Sequence, residues 1–226
     1  MSDTRETFLR KVREAVQAGN RPGTSAEIPR RGHIGYQGAG GDAALCFCEQ
    51  FRAAGGQAYL VADAEAAAEK VLEIASGVNH QHVLLGTGAV IESLNLSRRL
   101  EALGSEIIPA EPLATDNDAG RFFKADLGIT GVDYLIAETG TVVYLARPAE
   151  PRSLSLLPPV HIAVASADQL VLDLFDFFEL PEVGINAALP SCISLITGPS
   201  KTGDIELTLV TGVHGPGAVH VVLLRR

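Results

Sequence analysis

QAYLVADAEAAAEKVLEIASGVNHQHVLLGTG, residues 57–88, carries two hydrophobic periods in succession. Gln57 to Val61 reads as a short strand, and Asp63 then stands as an N-cap before the Ala- and Glu-rich helical stretch Ala64 to Ser76. His82-Val83-Leu84-Leu85 follows as a buried-strand run closed by Gly86-Thr87-Gly88. Strand, helix and strand in this order predict a parallel unit. The alternation extends outward on both sides. Upstream, Asp42 caps a helix that places Ala44, Leu45, Cys48 and Phe51 at helical spacing until Gly55-Gly56 stops it. Downstream, Ile91 to Leu103 reads as a helix, Glu106-Ile107-Ile108 as a strand and Asp118 to Lys124 as a helix. The expected fold is therefore α/β: a mostly parallel sheet between helices, a three-layer sandwich.

The second half changes character. Tyr134 to Ala137, the turn Glu138-Thr139-Gly140-Thr141 and Val142 to Leu145 predict an antiparallel pair. Val160 to Ala165 is a further strand, after which Ser166 to Gln169 matches a capping box expected to open a helix from Ala167 to Leu180. Ser191 to Thr197 and His220 to Leu224 complete the strands. At the other end, Phe8, Val12, Ala15 and Val16 mark an amphipathic helix over Thr4 to Ala18, and the Pro- and Gly-bearing stretch to Gly41 reads as an extended linker. Two regions are expected: an N-terminal arm over residues 1–41 and an α/β domain over residues 42–226. The arm is compatible with a monomer and with a homo-oligomer built by arm exchange.

At about 150 residues per domain, 226 residues correspond to roughly one domain with an appendage. With 46% hydrophobic residues the chain can fill such a core. The net charge of -9 argues against nucleic acid as a partner. Apolar runs fall well short of the roughly 20 residues that cross a bilayer, and Met1 to Val12 is too charged for a signal peptide. A cytoplasmic location without membrane contact is expected. Three cysteines cannot all pair, and Cys46-Phe47-Cys48 lacks the spacing of a zinc or redox hook. No run of cysteines suits an iron–sulfur cluster, and His80 and His82 share a strand face without a clear third ligand. No metal site is expected.

Three loops could carry chemistry. Gly198-Pro199-Ser200-Lys201-Thr202-Gly203-Asp204 leaves a strand with backbone N–H groups, two hydroxyls and an ammonium suited to an anion, without Walker spacing. It reads equally as a strand-to-helix connection capped by Asp204. Glu138 in its turn could act as nucleophile, base or hydrogen-bond anchor, or simply bond nearby backbone. His214 lies in Gly212-Val213-His214-Gly215-Pro216-Gly217, where an imidazole has room to meet a ligand. His161, inside an apolar strand, reads as an interior histidine. Gly86-Thr87-Gly88 is a weak dinucleotide fingerprint, lacking the third glycine and the later acid.

Gly128-Ile129-Thr130-Gly131-Val132-Asp133, Ile136 to Thr141, Pro159-Val160-His161, Thr197 to Glu206 and Gly212 to Pro216 occur in this order. Together they resemble the LUD domain of the lactate-utilisation protein C family, strongly over the second half of the chain and in general layout over the first. The resemblance implies the fold group of glucosamine-phosphate isomerase, ribose-phosphate isomerase and the CoA transferases. It also implies a place in bacterial growth on L-lactate, in a three-protein system that oxidises lactate to pyruvate and whose other two members carry iron–sulfur clusters. This chain is similar to the cluster-free member, with no cofactor of its own. The family's shared segments fall on Glu138, Thr139, Gly140, Thr141, Gly198, Pro199, Ser200, Lys201, Thr202, Asp204, Glu206, His214 and Gly215. On this basis Lys201 and the Gly198 to Thr202 backbone are expected to bind a small anionic ligand, with Glu138 and His214 bordering the same cleft. The expected function is a non-redox subunit that works with the iron–sulfur proteins. The alternative is an independent CoA-transferase-like or isomerase-like enzyme using Glu138.

Overall fold

Aspartate caps decide where the first helices of the sheet begin. Asp42 accepts from the amides of Ala44 and Leu45 and opens α2 (Ala43–Ala53), while Asp63 accepts from Ala66 N at 2.9 Å and opens α3 (Ala64–Ser76). Replacing Asp63 by alanine is expected to cost about 1 kcal/mol, a fall of about 2–4 °C in Tm. An unchanged melting curve would show that solvent satisfies those amides equally well.

The computed structural model describes residues 2–19, 41–110, 119–147, 150–183, 189–203 and 209–225. The chain divides into two compact units, Met1–Tyr36 and Gln37–Arg226. In the first, α1 (Ser2–Gly19) exposes Phe8, Leu9, Val12 and Val16 and carries an Arg10–Glu14 ion pair one turn apart. The predicted linker, from residue 20 to residue 40, lies outside the described residues.

In the second unit a six-stranded sheet runs β1-β12-β7-β4-β2-β3, every neighbouring pair parallel. Its strands are β1 (Gln57–Val61), β2 (His82–Leu85), β3 (Glu106–Pro109), β4 (Leu127–Thr130), β7 (Val160–Ser166) and β12 (Ala218–Leu224). One face packs on α3, α4 (Ala89–Ser93) and α5 (Leu96–Ala102) through Val71, Ile91, Leu100, Ile162 and Val222. The other meets α2 through Phe47, Phe51, Ala163 and Val221, and meets α6 (Ala119–Phe122) and α7 (Ser153–Leu156) through Leu84, Ile108, Phe122 and Leu154. Beside α2 lies a four-stranded sheet ordered β8-β5-β6-β9. It comprises β5 (Tyr134–Ile136), β6 (Thr141–Leu145), β8 (Leu170–Val171) and β9 (Ile193–Ile196), with β5 and β6 the predicted antiparallel pair. The result is the expected mostly parallel α/β sandwich, with a small sheet added to one helical layer.

Two predicted helices differ. The helix expected over Ile91 to Leu103 breaks at Asn95, whose φ of 50° is left-handed. At 100° per residue a straight helix would turn Ile91 and Leu94 away from Leu96 and Leu100, and the break lets all four be buried. The helix expected over Ala167 to Leu180 is replaced by one 3-10 turn (Ala167–Gln169), β8 and α8 (Leu174–Glu179). Gln169 does accept from Ser166 N at 2.7 Å, but its amide nitrogen donates to Val132 O, and buried Asp173 caps the real helix. After Gly198 the described residues form β10 (Lys201–Gly203), which pairs antiparallel with β11 (Leu209–Thr211), and Asp204, the alternative helix cap, lies outside them.

Candidate functional site

The turn, the Gly198 loop and the His214 loop converge on the C-terminal end of α2, where β1, β7 and β12 begin. Gly140 sits at φ 60°, and a Cβ there would lie 2.3 Å from Phe51 N. Gly198, at φ 80°, also packs closely, its Cβ position 2.8 Å from Ala54 O. Hydroxyls join the two segments: Thr139 Oγ1 and Thr197 Oγ1 each lie 2.7 Å from Thr141 Oγ1. The Lys201 ammonium donates to Ala54 O, placing a cation on the carbonyl end of α2. Ser200 N donates to Pro216 O at 2.9 Å and Ser200 O accepts from Gly212 N, which docks the His214 loop with Gly215 against Ser200. Pro199 is half-buried beside Gly55, and Thr202 pairs with Val210. His214 is exposed, while Glu138 is half-buried and its amide donates to Leu172 O. Burial first, then the charges of Glu49 and Glu138, push the Cys46 thiol pKa up. Asp204 and Glu206 lie outside the described residues. The Lys201 ammonium and the Ser200 amide, two of the donors expected to hold an anion, are thus engaged in packing this corner.

A second arrangement occupies the opposite edge of the sheet. After β2 the chain turns into α4 on one face, whereas after β4 it turns toward β5 on the other. Neighbouring parallel strands whose connections leave to opposite sides open a crevice at their C-terminal ends. Gly86-Thr87-Gly88 and Gly131-Val132-Asp133 form its walls. Three adjoining recesses of about 20, 270 and 520 Å³ lie here. Gly131 and Glu150 line the first and second, Arg147 the second and third, and Arg152 the first and third, and the smallest has room for a single water. Asp133 accepts from Leu145 N and pairs with Arg147, whose other amine lies 3.7 Å from Glu150 Oε2. The exposed Arg152 guanidinium has no hydrogen-bond or ion-pair partner among the described residues. Tyr144, Ser155, Cys192 and Ser194 also line the recesses, as does Asp168.

The LUD domain profile matches residues 46–224, more than half of the chain. The chain belongs to the LUD-domain family. "Lactate utilization protein C" of Geobacillus thermodenitrificans is 33% identical over 168 residues, 68% of this chain and 70% of that protein. The protein of the same name from Halalkalibacterium halodurans is 47% identical over 97 residues, 41% of each chain. "Uncharacterized protein YkgG" of Escherichia coli is 30% identical over 160 residues, 70% of this chain and 69% of its own. The matched stretch spans less than half of the Halalkalibacterium protein and of several further relatives of the same name. A crystal structure of a DUF162 family protein from Deinococcus radiodurans superposes with a TM-score of 0.56 at 22% identity, covering 80% of this chain and 96% of that one. That likeness shows the fold.

Under the LUD-domain crevice lies a polar trio, Thr130 and His161 buried and Tyr144 half-buried. Thr130 Oγ1 is 2.9 Å from both Tyr144 Oη and His161 Nε2, and Tyr144 Oη is 3.4 Å from the same nitrogen. His161 is the interior histidine expected, and burial pushes its pKa down to about 3. Burial drives Tyr144 upward, so the trio offers neutral hydroxyls rather than a charge to the crevice floor. One guanidinium without a partner among the described residues, Arg152, beside a neutral hydroxyl floor suits a small oxyanion. The LUD-domain crevice was not read from sequence: Thr87, Asp133, Tyr144, Arg147, Glu150 and Arg152 were missed as site residues. Its available signals were Gly86-Thr87-Gly88 after a central strand and the Gly128 to Asp133 motif. Among the described residues no group of three or more His, Cys, Asp or Glu could hold a metal ion, and no helix is long and apolar enough to cross a membrane.

Proposed function

We propose that this chain is the cluster-free, non-redox component of a bacterial lactate-utilisation system, and that it holds a small anionic ligand in the strand-end crevice. Membership of the LUD-domain family and relatives named for lactate utilisation support the assignment to that system. In this reading, partner proteins bearing iron–sulfur clusters take the two electrons released as L-lactate becomes pyruvate. The observation that carries the ligand assignment is Arg152, an exposed guanidinium without a partner among the described residues, beside the hydroxyls of Tyr144, Ser155 and Ser194. Arginine matches a carboxylate with parallel N–H donors.

The test is L-lactate oxidation by the reconstituted three-protein system with an artificial electron acceptor. Omitting the chain is expected to abolish turnover. Arg152→Ala is expected to lose roughly 10–150-fold in ligand affinity, the loss of a charge-assisted hydrogen bond worth about 1.5–3 kcal/mol, at unchanged Tm. Full turnover without the chain, or a covalent Glu138–CoA adduct found by mass spectrometry after incubation with acyl-CoAs, would overturn the assignment.

A further inference from the structure

Glu150 occupies the crevice in an unusual way. Its Oε1 accepts from both Thr87 N, at 3.0 Å, and Thr87 Oγ1, at 3.1 Å, although 63 residues separate the two. Its Oε2 faces Arg147 Nη1 at 3.7 Å. Three donors from two segments therefore converge on one carboxylate.

The backbone is shaped for this. A Cβ at Gly86 would lie 3.2 Å from Thr130 Cα, so the loop lies against the end of β4. Gly88 follows at φ 102°, and Thr87 and Gly88 are exposed. We infer that Thr87 and Arg147 form a seat for the carboxylate of a small ligand, and that Glu150 fills it until the ligand takes its place. This rests on the reading that the crevice binds an anion, and it names the ligand's group and the residue it displaces.

Charge supports an exchange over simple addition. The charged side chains lining the recesses are Arg147 and Arg152 against Asp133, Glu150 and Asp168, a net charge of about -1. A monoanion added beside Glu150 would meet that field, with the Thr87 donors already taken. A monoanion that replaces Glu150 inherits both Thr87 donors and the Arg147 edge, with Arg152 in the recess that Glu150 also lines. Glu150 can leave because its side chain is partly exposed and can hydrate. The seat is filled by a carboxylate in this structure, so a carboxylate is the group whose fit is observed.

Titration calorimetry of the full chain with L-lactate, pyruvate and inorganic phosphate tests this in wild type, Glu150→Ala, Glu150→Gln, Thr87→Val and Arg152→Ala. Removing the internal competitor is expected to tighten L-lactate or pyruvate at least tenfold in both Glu150 variants, and Thr87→Val to weaken it. The glutamine variant keeps the side-chain volume and carries the test if the alanine variant folds poorly. A Glu150 with a purely structural role would lower Tm in both variants without any gain in affinity, and that result overturns the exchange. Arg152-dependent binding that ignores Glu150 also overturns the exchange while leaving the anion crevice standing. A gain confined to phosphate overturns the carboxylate class. No binding by any variant overturns the crevice reading and the exchange with it.

Discussion

Gly140→Ala is expected to cost the domain about 3 kcal/mol or more, a large share of the roughly 5–15 kcal/mol that holds a domain folded. Two effects add at this position. An alanine at φ 60° occupies the left-handed region at a cost of about 1–2 kcal/mol. Its Cβ would also lie 2.3 Å from Phe51 N, 2.6 Å from Gln50 C and 2.8 Å from Phe51 Cα. All three are backbone atoms of α2, with no flexible side chain to swing aside. Phe51 cannot retreat, because it is fully buried and its ring stacks on Phe47 at 5.7 Å. The turn must move instead, and the Thr139–Thr141–Thr197 hydroxyl chain moves with it. Gly104 is the control, since it has φ 92° and nothing within 4 Å of its Cβ position. Urea unfolding should show Gly140→Ala losing at least twice as much as Gly104→Ala. Equal losses would mean that the contact with α2 carries no weight.

That contact changes the meaning of the motif. In the sequence, Glu138-Thr139-Gly140-Thr141 and Gly198 to Lys201 read either as ligand-binding loops or as ordinary connections, since glycine, hydroxyl and charge suit both. Folded, their glycines clear the backbone of α2, their hydroxyls bond to one another and Lys201 neutralises a helix end. The same residue types serve a packed corner and an anion site, and only the partners distinguish the two.

Elements bounded by local chemistry were legible. Asp42 and Asp63 act on amides two or three residues away, so α2 and α3 begin as predicted, and β1 and β2 follow from short apolar runs between glycines and polar residues. Elements bounded by distant partners were not. Leu170 and Val171 become a strand because Leu135 and Ile136 lie alongside. The crevice is hidden for the same reason. It joins Thr87 to Glu150, and Thr130 to Tyr144 and His161, across a strand reversal in which the chain passes from β2 out to β3 and back to β4. Strand order is not local information, and the site depends on it.

Acid should destabilise this domain through His161, and the sign follows from burial. His161 is 1% exposed, and its Nδ1 has no hydrogen-bond partner among the described residues. Its neighbours at Nε2 are the hydroxyls of Thr130 and Tyr144 rather than a carboxylate. A second ring proton would bring an uncompensated charge into the core, and the folded-state pKa falls to about 3. In the unfolded chain the same imidazole titrates near 6.5. Above that value neither state binds the proton and the site has no effect on stability. Below it the unfolded chain gains a proton that the folded domain refuses, so stability falls by about 1.4 kcal/mol per pH unit until the folded pKa is reached. By pH 4.5 the deficit is roughly 3 kcal/mol. Carboxylates also respond in this range, but His161→Gln retains them and retains His220, which aligns with Ile162 and so faces the other side of the sheet. The difference between wild type and variant in urea unfolding from pH 6.5 to 4.5 therefore isolates the buried ring. Wild type should lose roughly 2 kcal/mol more than His161→Gln over that interval, with the His161 imidazole remaining neutral by NMR while the domain stays folded. Parallel pH profiles, or a His161 resonance that titrates near 6.5 in the folded state, would overturn the buried-neutral assignment.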